Sequence, residues 1–217
     1  MDTIDAKGKT EQFFSQYPLR KYPKGQILFH ANENPSYIFY IVSGKVRQYD
    51  ISYRGDELTL NIFRAGGFFP MLWALTSIDN KYFFSADSSV IIRVVPIPDM
   101  LAFLKSNPDE LFNLLVRVYI GIDGVLGRLV RLMSSSAQSR LLYELVIECR
   151  RFGDRLADGS YEIKINENDL ASRSGLSRET VSREMQKVNR GHILKVGRNS
   201  IIILDAQQLE EMFQTVR

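Results

Sequence analysis

Short apolar runs, separated by glycines, occupy residues 18 to 98 of the chain. The runs are rich in β-branched and aromatic residues, and they are ILF (27–29), YIFYIV (37–42), KVRQYDI (45–51), ELTLNIF (57–63) and SVIIRVV (89–95). Closely spaced strands with glycine turns are typical of antiparallel rolls, barrels and sandwiches. The pattern therefore predicts an antiparallel β domain in the first half of the chain.

Apolar residues that repeat with a heptad period begin after Pro108. These residues are spaced alternately four and three residues apart, and they are Leu111, Leu115, Val118, Ile122, Val125, Leu129 and Leu132. Such a repeat predicts one long helix with an apolar stripe. We expect the stripe to form a dimer interface, and the alternative is a helix that packs on its own domain. Taken with the strands before it, the helix makes the fold class α+β.

Three glycines interrupt this long helix, at Gly121, Gly124 and Gly127. Each costs about 1 kcal/mol relative to alanine inside a helix. We expect the close approach of a partner backbone to offset that cost. The alternative is a locally soft helix that can change its pairing.

Two short helices joined by a glycine turn are predicted near the C-terminus. Asn166 can cap the first helix, with Asp169 in the reciprocal position, and Gly175 suits the residue that ends it. Ser177 can then cap a second helix, whose inward positions include Val181. Two short helices with a turn of this kind form a helix-turn-helix. The following segment, ILKVG-RN-SIIIL, predicts a two-stranded wing.

The outward face of the second helix carries the candidate base-reading residues, Arg178, Glu179, Ser182 and Arg183. Arginine can donate to guanine O6 and N7, glutamate can accept from cytosine N4, and serine can meet a base edge or a phosphate. The candidate contacts to the DNA backbone are Ser177, Thr180, Lys187 and Arg198. The alternative is that Glu179 and Arg183 form an ordinary surface ion pair four residues apart.

Charge supports a nucleic-acid partner only through its distribution. The 217 residues carry a net charge of +3, which by itself says little. Between residues 173 and 198, however, seven positive and two negative side chains give a net +5. The positive end of the molecule is therefore predicted to be its C-terminal quarter.

Composition also restricts location and cofactors. The sequence has no apolar run of membrane-spanning length and no apolar stretch of a signal peptide near its beginning, so we expect a cytoplasmic protein without a membrane partner. Cys149 is the only cysteine, which excludes an internal disulfide and a cysteine-based metal cluster. We expect it to be a buried thiol.

The order of roll, heptad helix and winged helix-turn-helix resembles the cAMP receptor protein and fumarate-nitrate reduction regulator (CRP/FNR) family of bacterial transcription factors. The segments KYPKGQILFHANENPSYIFYIVSGKVRQY and GLSRETVSREMQKV carry the resemblance. It implies a cyclic-nucleotide-binding-like, cupin-like roll over residues 1–107, a dimerisation helix over 108–136 and a DNA-binding domain over 137–217. It also implies a homodimer on an inverted repeat of double-stranded DNA, and contact with RNA polymerase if the protein activates transcription.

Residue by residue, the resemblance assigns base reading to Arg178, Glu179 and Arg183, which match the family's arginine, glutamate and arginine. Ser182 matches the serine of the fumarate-nitrate branch. Because the chain carries both the three charged residues and this serine, the resemblance suggests a half-site with a G-A core.

The resemblance is weakest at the effector site. Pro70-Met71 stand where cyclic-nucleotide binders carry Gly-Glu, and Lys81-Tyr82 stand where they carry Arg-Ser/Thr. Methionine cannot accept from a ribose hydroxyl, and lysine lacks the planar fork of arginine. Val125 and Leu126 replace the family's polar contacts on the dimer helix. We therefore expect no cAMP binding.

Other cofactors are not expected either. An iron-sulfur cluster needs several thiolates, and His30 and His192 lie away from the candidate pocket, so neither such a cluster nor haem is expected. No metal site is predicted. The possible effector pocket consists of Met71, Leu72, Trp73, Lys81, Tyr82, Val125 and Leu126. Its aromatic surroundings either fill the former pocket or receive an apolar or aromatic ligand.

Two other functional classes compete with a transcription regulator. One is an enzyme with an appended DNA-binding domain, but the sequence has no nucleophile-base pairing and no glycine loop that would cradle phosphate. The other is a small-molecule-binding module whose helix-turn-helix serves protein contacts. The sequence predicts a regulator that is not an enzyme.

Overall fold

The computed structural model describes residues 3–53, 55–134, 136–197 and 199–215. The chain forms two compact units, Met1–Ile122 and Asp123–Arg217.

The first unit is built on two antiparallel sheets. Its strands are β1 (Leu19–Tyr22), β2 (Ile27–Phe29), β3 (Tyr37–Ser43), β4 (Lys45–Ile51), β5 (Glu57–Arg64), β6 (Phe68–Phe69), β7 (Phe83–Ala86) and β8 (Val90–Pro96). One sheet has the order β1-β8-β3-β6, and the other has the order β2-β7-β4-β5. The prediction of an antiparallel roll is confirmed, and each of the five quoted runs forms a strand.

The central strand β3 explains why these runs are continuously apolar. Phe39 and Ile41 belong to the core between the two sheets, whereas Ile38 and Tyr40 belong to a second core on the other face of their sheet. Side chains alternate between the faces of a strand, so a strand that is buried on both faces needs apolar residues at every position.

Helices cover that second face. They are α1 (Thr3–Ser15), α2 (Met71–Thr76), α3 (Ile97–Ser106) and the long α4 (Pro108–Ser134). Phe14, Met100, Leu104 and Leu114 pack with the outer side chains of β3. The sequence pattern did not predict α1, α2 or α3, because each is too short for its apolar residues to form a long periodic pattern.

The turn between β3 and β4 requires glycine. Gly44 has a φ of +88°, and a Cβ placed there would lie 2.3 Å from the backbone oxygen of Ser89. A side chain at this position would therefore force β8 away from the turn.

The second unit combines helices with one small sheet. Its elements are α5 (Ala137–Phe152), β9 (Asp154–Arg155), β10 (Tyr161–Ile163), α6 (Glu167–Ser174), α7 (Arg178–Val188), a 3-10 turn (Asn189–Gly191), β11 (Leu194–Val196), β12 (Ile201–Ile203) and α8 (Ala206–Thr215). The antiparallel sheet has the order β11-β12-β10-β9. Apolar side chains of α5, α6, α7 and the sheet form one buried core.

The boundary between the compact units falls inside α4, whereas the sequence divides the chain at residues 107 and 136. Leu114, near the start of α4, packs in the first unit. Near its end, Arg128 forms an ion pair with Glu144 of α5. Across the described ranges, no helix is both long enough and apolar enough to cross a bilayer.

Candidate nucleic-acid interface

The first helix of the helix-turn-helix begins and ends at the residues that the sequence indicates. Asn166 Oδ1 accepts from the backbone amide of Asp169 at 3.0 Å, and Asp169 Oδ2 accepts from the backbone amide of Asn166 at 3.4 Å. This reciprocal pair satisfies two amides that the first turn of α6 leaves without a helical partner. The helix ends at Gly175, whose φ is +62°.

The second helix begins at Ser177. Its Oγ accepts from the Thr180 amide at 3.2 Å and lies 3.1 Å from the Thr180 hydroxyl. The two candidate backbone contacts, Ser177 and Thr180, therefore lie together on the first turn of α7, Ser177 exposed and Thr180 partly so.

Two residues from outside the helix-turn-helix, Arg140 and Leu132, lie against its turn. Arg140 on α5 donates through Nη1 to the backbone oxygens of Ser174 and Gly175, at 3.5 and 3.3 Å. A Cβ on Gly175 would lie 3.2 Å from Leu132 Cδ2. No role for Arg140 was evident from the sequence, because its function depends on a contact 35 residues away.

One face of α7 is buried and the opposite face is open. Val181, Met185 and Val188 are each at most 2% exposed and belong to the core of the second unit. With these side chains fixed inside, the helical period directs Arg178, Glu179 and Arg183 outward, where all three are exposed. Ser182 is partly exposed on the same face.

The outward carboxylate of Glu179 lies on the first turn of α7. Its own backbone amide, and then the Ser177 side chain, lower the pKa of Glu179 through hydrogen bonds. An ionised carboxylate is an acceptor only, which suits it to the N4 amine of cytosine. Arg178 Nε lies 3.8 Å from Glu167 Oε2, at the start of α6.

A buried carboxylate lies on α7 between two of the predicted DNA contacts. Glu184 is 4% exposed, and its Oε1 lies 2.8 Å from Lys187 Nζ and 3.5 Å from Arg183 Nε. In the sequence analysis Glu184 counts only as a charge, although its position three residues after Val181 and four before Val188 places it on the inward side of α7.

Two buried carboxylates of α5 form ion pairs with neighbouring helices. Arg173 of α6 donates to Glu148, and the side chains of both residues are less than 5% exposed. One turn earlier, Glu144 accepts from Arg128 Nε at 2.7 Å and from Arg128 Nη2 at 3.1 Å. Burial raises the pKa of Glu144, and Arg128 opposes that shift. The position of the first helix of the motif therefore depends on charges as well as on apolar packing.

The wing is formed by β11 and β12. Its turn is closed by a hydrogen bond from the Gly197 amide to the Ser200 backbone oxygen at 2.8 Å. Lys195 is exposed beside this turn. The predicted backbone contact Arg198 lies outside the described residues.

The dimer-stripe residues are all exposed in the single chain. Their exposed fractions range from 43% to 55% at Leu111, Leu115, Val118, Ile122, Val125, Leu129 and Leu132. Other large apolar side chains on α4 are also exposed, among them Phe112, Tyr119, Ile120 and Met133. The apolar surface of α4 is therefore wider than the single stripe that the repeat predicts.

The predicted effector-pocket residues lie in different surroundings. Met71 packs with the outer core of the roll, and Tyr82 packs with the core between the sheets. Lys81 and Leu72 are exposed, and Trp73 is partly exposed. Val125 and Leu126 belong to the second unit, where both are more than half exposed.

Phenylalanines fill the interior of the roll. Phe69 and Phe84 stack with ring centroids 5.2 Å apart, and Phe29 stacks on Phe84 at 4.4 Å. Phe39 and Phe63 contact Phe69 from other sides, at 5.7 and 5.0 Å. Phe69 and Phe84, which the sequence places beside the candidate effector residues, thus belong to the core of the roll.

A capped helix-turn-helix with a basic outward face, followed by a β wing, defines a DNA-binding domain, and here it follows an antiparallel roll. Comparison with known proteins agrees with this class. A cyclic nucleotide-binding domain model matches residues 19–107, and a Crp-like helix-turn-helix domain model matches residues 139–212.

Relatives extend the match over nearly the whole chain. The cyclic AMP receptor protein of Thermus thermophilus is 25% identical, covering 91% of this chain and 89% of the relative. The fumarate and nitrate reduction regulatory protein of Yersinia pestis is 26% identical, covering 89% and 78%. A solved CooA mutant from Carboxydothermus hydrogenoformans has the same fold, with a TM-score of 0.76 and 23% identity over 93% of this chain and 90% of that one. The chain belongs to the CRP/FNR family and is a DNA-binding transcription regulator.

Proposed function

We propose that the protein acts as a homodimer that reads an inverted-repeat DNA site through the outward face of α7. The observation that carries the proposal is the division of this helix into a fully buried face and an open face with Arg178, Glu179 and Arg183. These residues lie in the first half of α7, which is the part of a recognition helix that enters the major groove.

Each residue of this face has a proposed role. Arg178 and Arg183 donate to guanine, Glu179 accepts from cytosine, and Ser182 contacts a base edge. Ser177, Thr180, Lys187 and Arg198 contact phosphates and set the register of the helix. The half-site has a G-A core.

The dimer forms through the stripe on α4. Seven apolar side chains, each nearly half exposed, form a continuous surface that a second copy of the helix can cover. A two-fold dimer presents two α7 helices related by the same symmetry, so its site is an inverted repeat.

The signal that modulates the protein is not cAMP. The proposal is supported by Met71 and Lys81 at the positions where the family recognises a ribose and a cyclic phosphate, and by the phenylalanines packed inside the roll. The protein either responds to a different signal or works without a ligand. It acts in the cytoplasm, is not an enzyme, and contacts RNA polymerase if it activates transcription.

The test is a binding experiment on duplex DNA. Random duplexes are selected with the purified protein, and the enriched sequence is titrated beside random DNA at several salt concentrations. We expect an inverted repeat and an affinity that falls steeply with salt. A helix-turn-helix that serves protein contacts would give no enriched sequence.

A further inference from the structure

One carboxylate is shared by the guanine-reading arginine and the phosphate-contacting lysine of α7. Both Arg183 Nε and Lys187 Nζ approach the same oxygen, Glu184 Oε1, at 3.5 and 2.8 Å. The side chain of Glu184 is 5% exposed, whereas those of Arg183 and Lys187 are 63% and 44% exposed. A fixed, nearly buried anion therefore lies beneath two cations that extend into solvent.

The atom that faces Glu184 matters for base reading. A guanidinium has five N–H groups, and the carboxylate lies on the Nε side of the fork. The terminal nitrogens Nη1 and Nη2 remain available to donate to guanine O6 and N7. At 3.5 Å the contact is an electrostatic attraction rather than a hydrogen bond, and it acts on an otherwise exposed and flexible side chain.

The lysine explains how a buried carboxylate is tolerated at this position. Removing an ionised carboxylate from water is costly unless a cation and hydrogen bonds accompany it. Lys187 supplies both at 2.8 Å. An ammonium group has three donors, so Lys187 can hold Glu184 and contact a DNA phosphate at the same time.

We propose that Glu184 is a positioning residue that sets base specificity by orienting the guanidinium of Arg183 for guanine. It does not touch DNA. Its effect is to reduce the number of orientations that Arg183 must give up on binding, and to direct the end of the fork toward the groove. The inference rests on the proposed function, since it requires Arg183 to read a base.

A purely structural role predicts a different result. Lys187 and Glu184 are three residues apart on a helix, and such a pair stabilises a helix by only a few tenths of a kcal/mol. If Glu184 served only the helix, its replacement would alter thermal stability and would change the affinity for all DNA sequences alike.

The experiment compares Glu184→Gln with the unchanged protein on the inverted repeat selected by that protein, on variants with single base-pair changes, and on random duplexes. We expect discrimination at the base pair read by Arg183 to fall by about tenfold, which is part of the value of one bidentate contact. Random DNA should bind more tightly. The salt slope should change little, because Lys187 contacts phosphate with or without Glu184.

Two further variants separate positioning from charge and from folding. Glu210→Gln on α8 makes the same change in net charge at an exposed ion pair with Arg150 of α5, and it should leave discrimination unchanged. Glu184→Asp keeps the charge but withdraws the carboxylate, and it should also reduce discrimination. Melting curves of each variant show whether it is folded.

A double-mutant cycle with Arg183→Ala tests whether Glu184 affects base discrimination through Arg183. In that background Glu184→Gln should no longer change discrimination, because the oriented side chain is absent. If Arg183→Ala relaxes one base pair and neither Glu184 variant does, the role of Glu184 is refuted while the proposed function stands. If Arg183→Ala weakens all sequences equally, Arg183 contacts phosphate, and the proposed register and the role of Glu184 both fail.

Discussion

At the scale of single residues, the side chains proposed to read DNA owe their exposure to residues on the buried face and at the start of α7. Val181, Met185 and Val188 are buried in one core, and their burial fixes the rotation of α7 about its axis. Ser177 and Gly175 fix where the helix begins. The chemistry of the outward face is therefore set by caps and by packing.

The proposed base contact of Glu179 can be tested by substitution. Glu179→Ala should weaken binding to the preferred site by about 1–3 kcal/mol and relax the choice of base at one position. The physical reason is that the variant loses the ionised carboxylate that accepts from cytosine N4, so the protein no longer distinguishes that base pair from the others. Titration against single-base variants of the site measures both effects. Unchanged base choice in the variant would contradict the assignment.

Lys187 should behave differently, because it lies one turn beyond Arg183 toward the end of α7. Lys187→Ala should weaken all sequences alike and reduce the salt slope by about one unit. Base choice should persist, since Arg183 still lies beside Glu184. The measurement is the affinity for specific and random DNA at several salt concentrations, and a loss confined to the specific site would count against a phosphate contact.

The buried pair of Glu148 and Arg173 predicts a strong effect on stability. Glu148→Leu should lower the free energy of unfolding by about 3–5 kcal/mol, because it removes the carboxylate that accompanies a buried guanidinium. The double variant Glu148→Leu, Arg173→Leu should recover most of that loss. Hydrogen exchange of the α5 amides measures the free energy of unfolding of the single and the double variant. A double variant as unstable as the single one would mean that the pair itself stabilises the fold.

At the scale of elements, α4 carries more exposed large apolar side chains than any other described helix. Its stripe repeats every seven residues, and each member is about half exposed. A Cβ added at Gly121 or Gly124 would meet none of the described residues beyond α4 within 4 Å, so the single chain gives no packing reason for either glycine. A second copy lying along α4 would supply one.

The stripe predicts a dimer. Sedimentation of the protein should give about twice 24.9 kDa, because seven apolar side chains are too costly to leave in water. Ile122→Glu, in the middle of the stripe, should shift the mass toward that of a monomer.

Ile120→Glu is the matched control for this prediction. Ile120 is also exposed but lies two residues from Ile122, on another side of the helix. This variant should remain dimeric. A monomer at micromolar concentration in the unchanged protein, or dissociation by Ile120→Glu alone, would contradict the assigned stripe.

At the scale of the whole molecule, the roll and the DNA-binding domain match their family models, and Met71 and Lys81 stand at positions where the family resemblance places cyclic-nucleotide contacts. We propose that the family's fold is retained here without the donors and acceptors that a cyclic nucleotide needs. A fold alone does not define a ligand, since ligand recognition depends on particular side chains.

Calorimetry with cAMP tests whether this protein has the family's fold without its ligand. We expect no cAMP binding at micromolar concentration, because Met71 offers no acceptor for a ribose hydroxyl and Lys81 lacks the arginine fork. The cyclic AMP receptor protein of Thermus thermophilus provides a positive control. Micromolar affinity in this protein would show that Lys81 and backbone amides suffice for the phosphate.

The sequence by itself determined the main strands of the roll, the long helix and the design of the recognition motif. Strand runs, the heptad repeat, the capping pair Asn166 and Asp169, and the turn at Gly175 depend on neighbours within a few residues, and the structure has them where the pattern indicates. Local geometry decides such features, so a local pattern can reveal them.

Only the tertiary structure decided the roles of residues that act across the fold. Arg140 contacts the turn at Gly175 from another helix, Arg173 joins Glu148 across 25 residues, and α1 is held by Phe14 in a core made by distant strands. Glu184 is next to Arg183 in the chain, yet its importance comes from burial, which depends on everything packed around α7. A linear pattern records which residues are neighbours in sequence, but burial and long-range ion pairing exist only after the chain has folded.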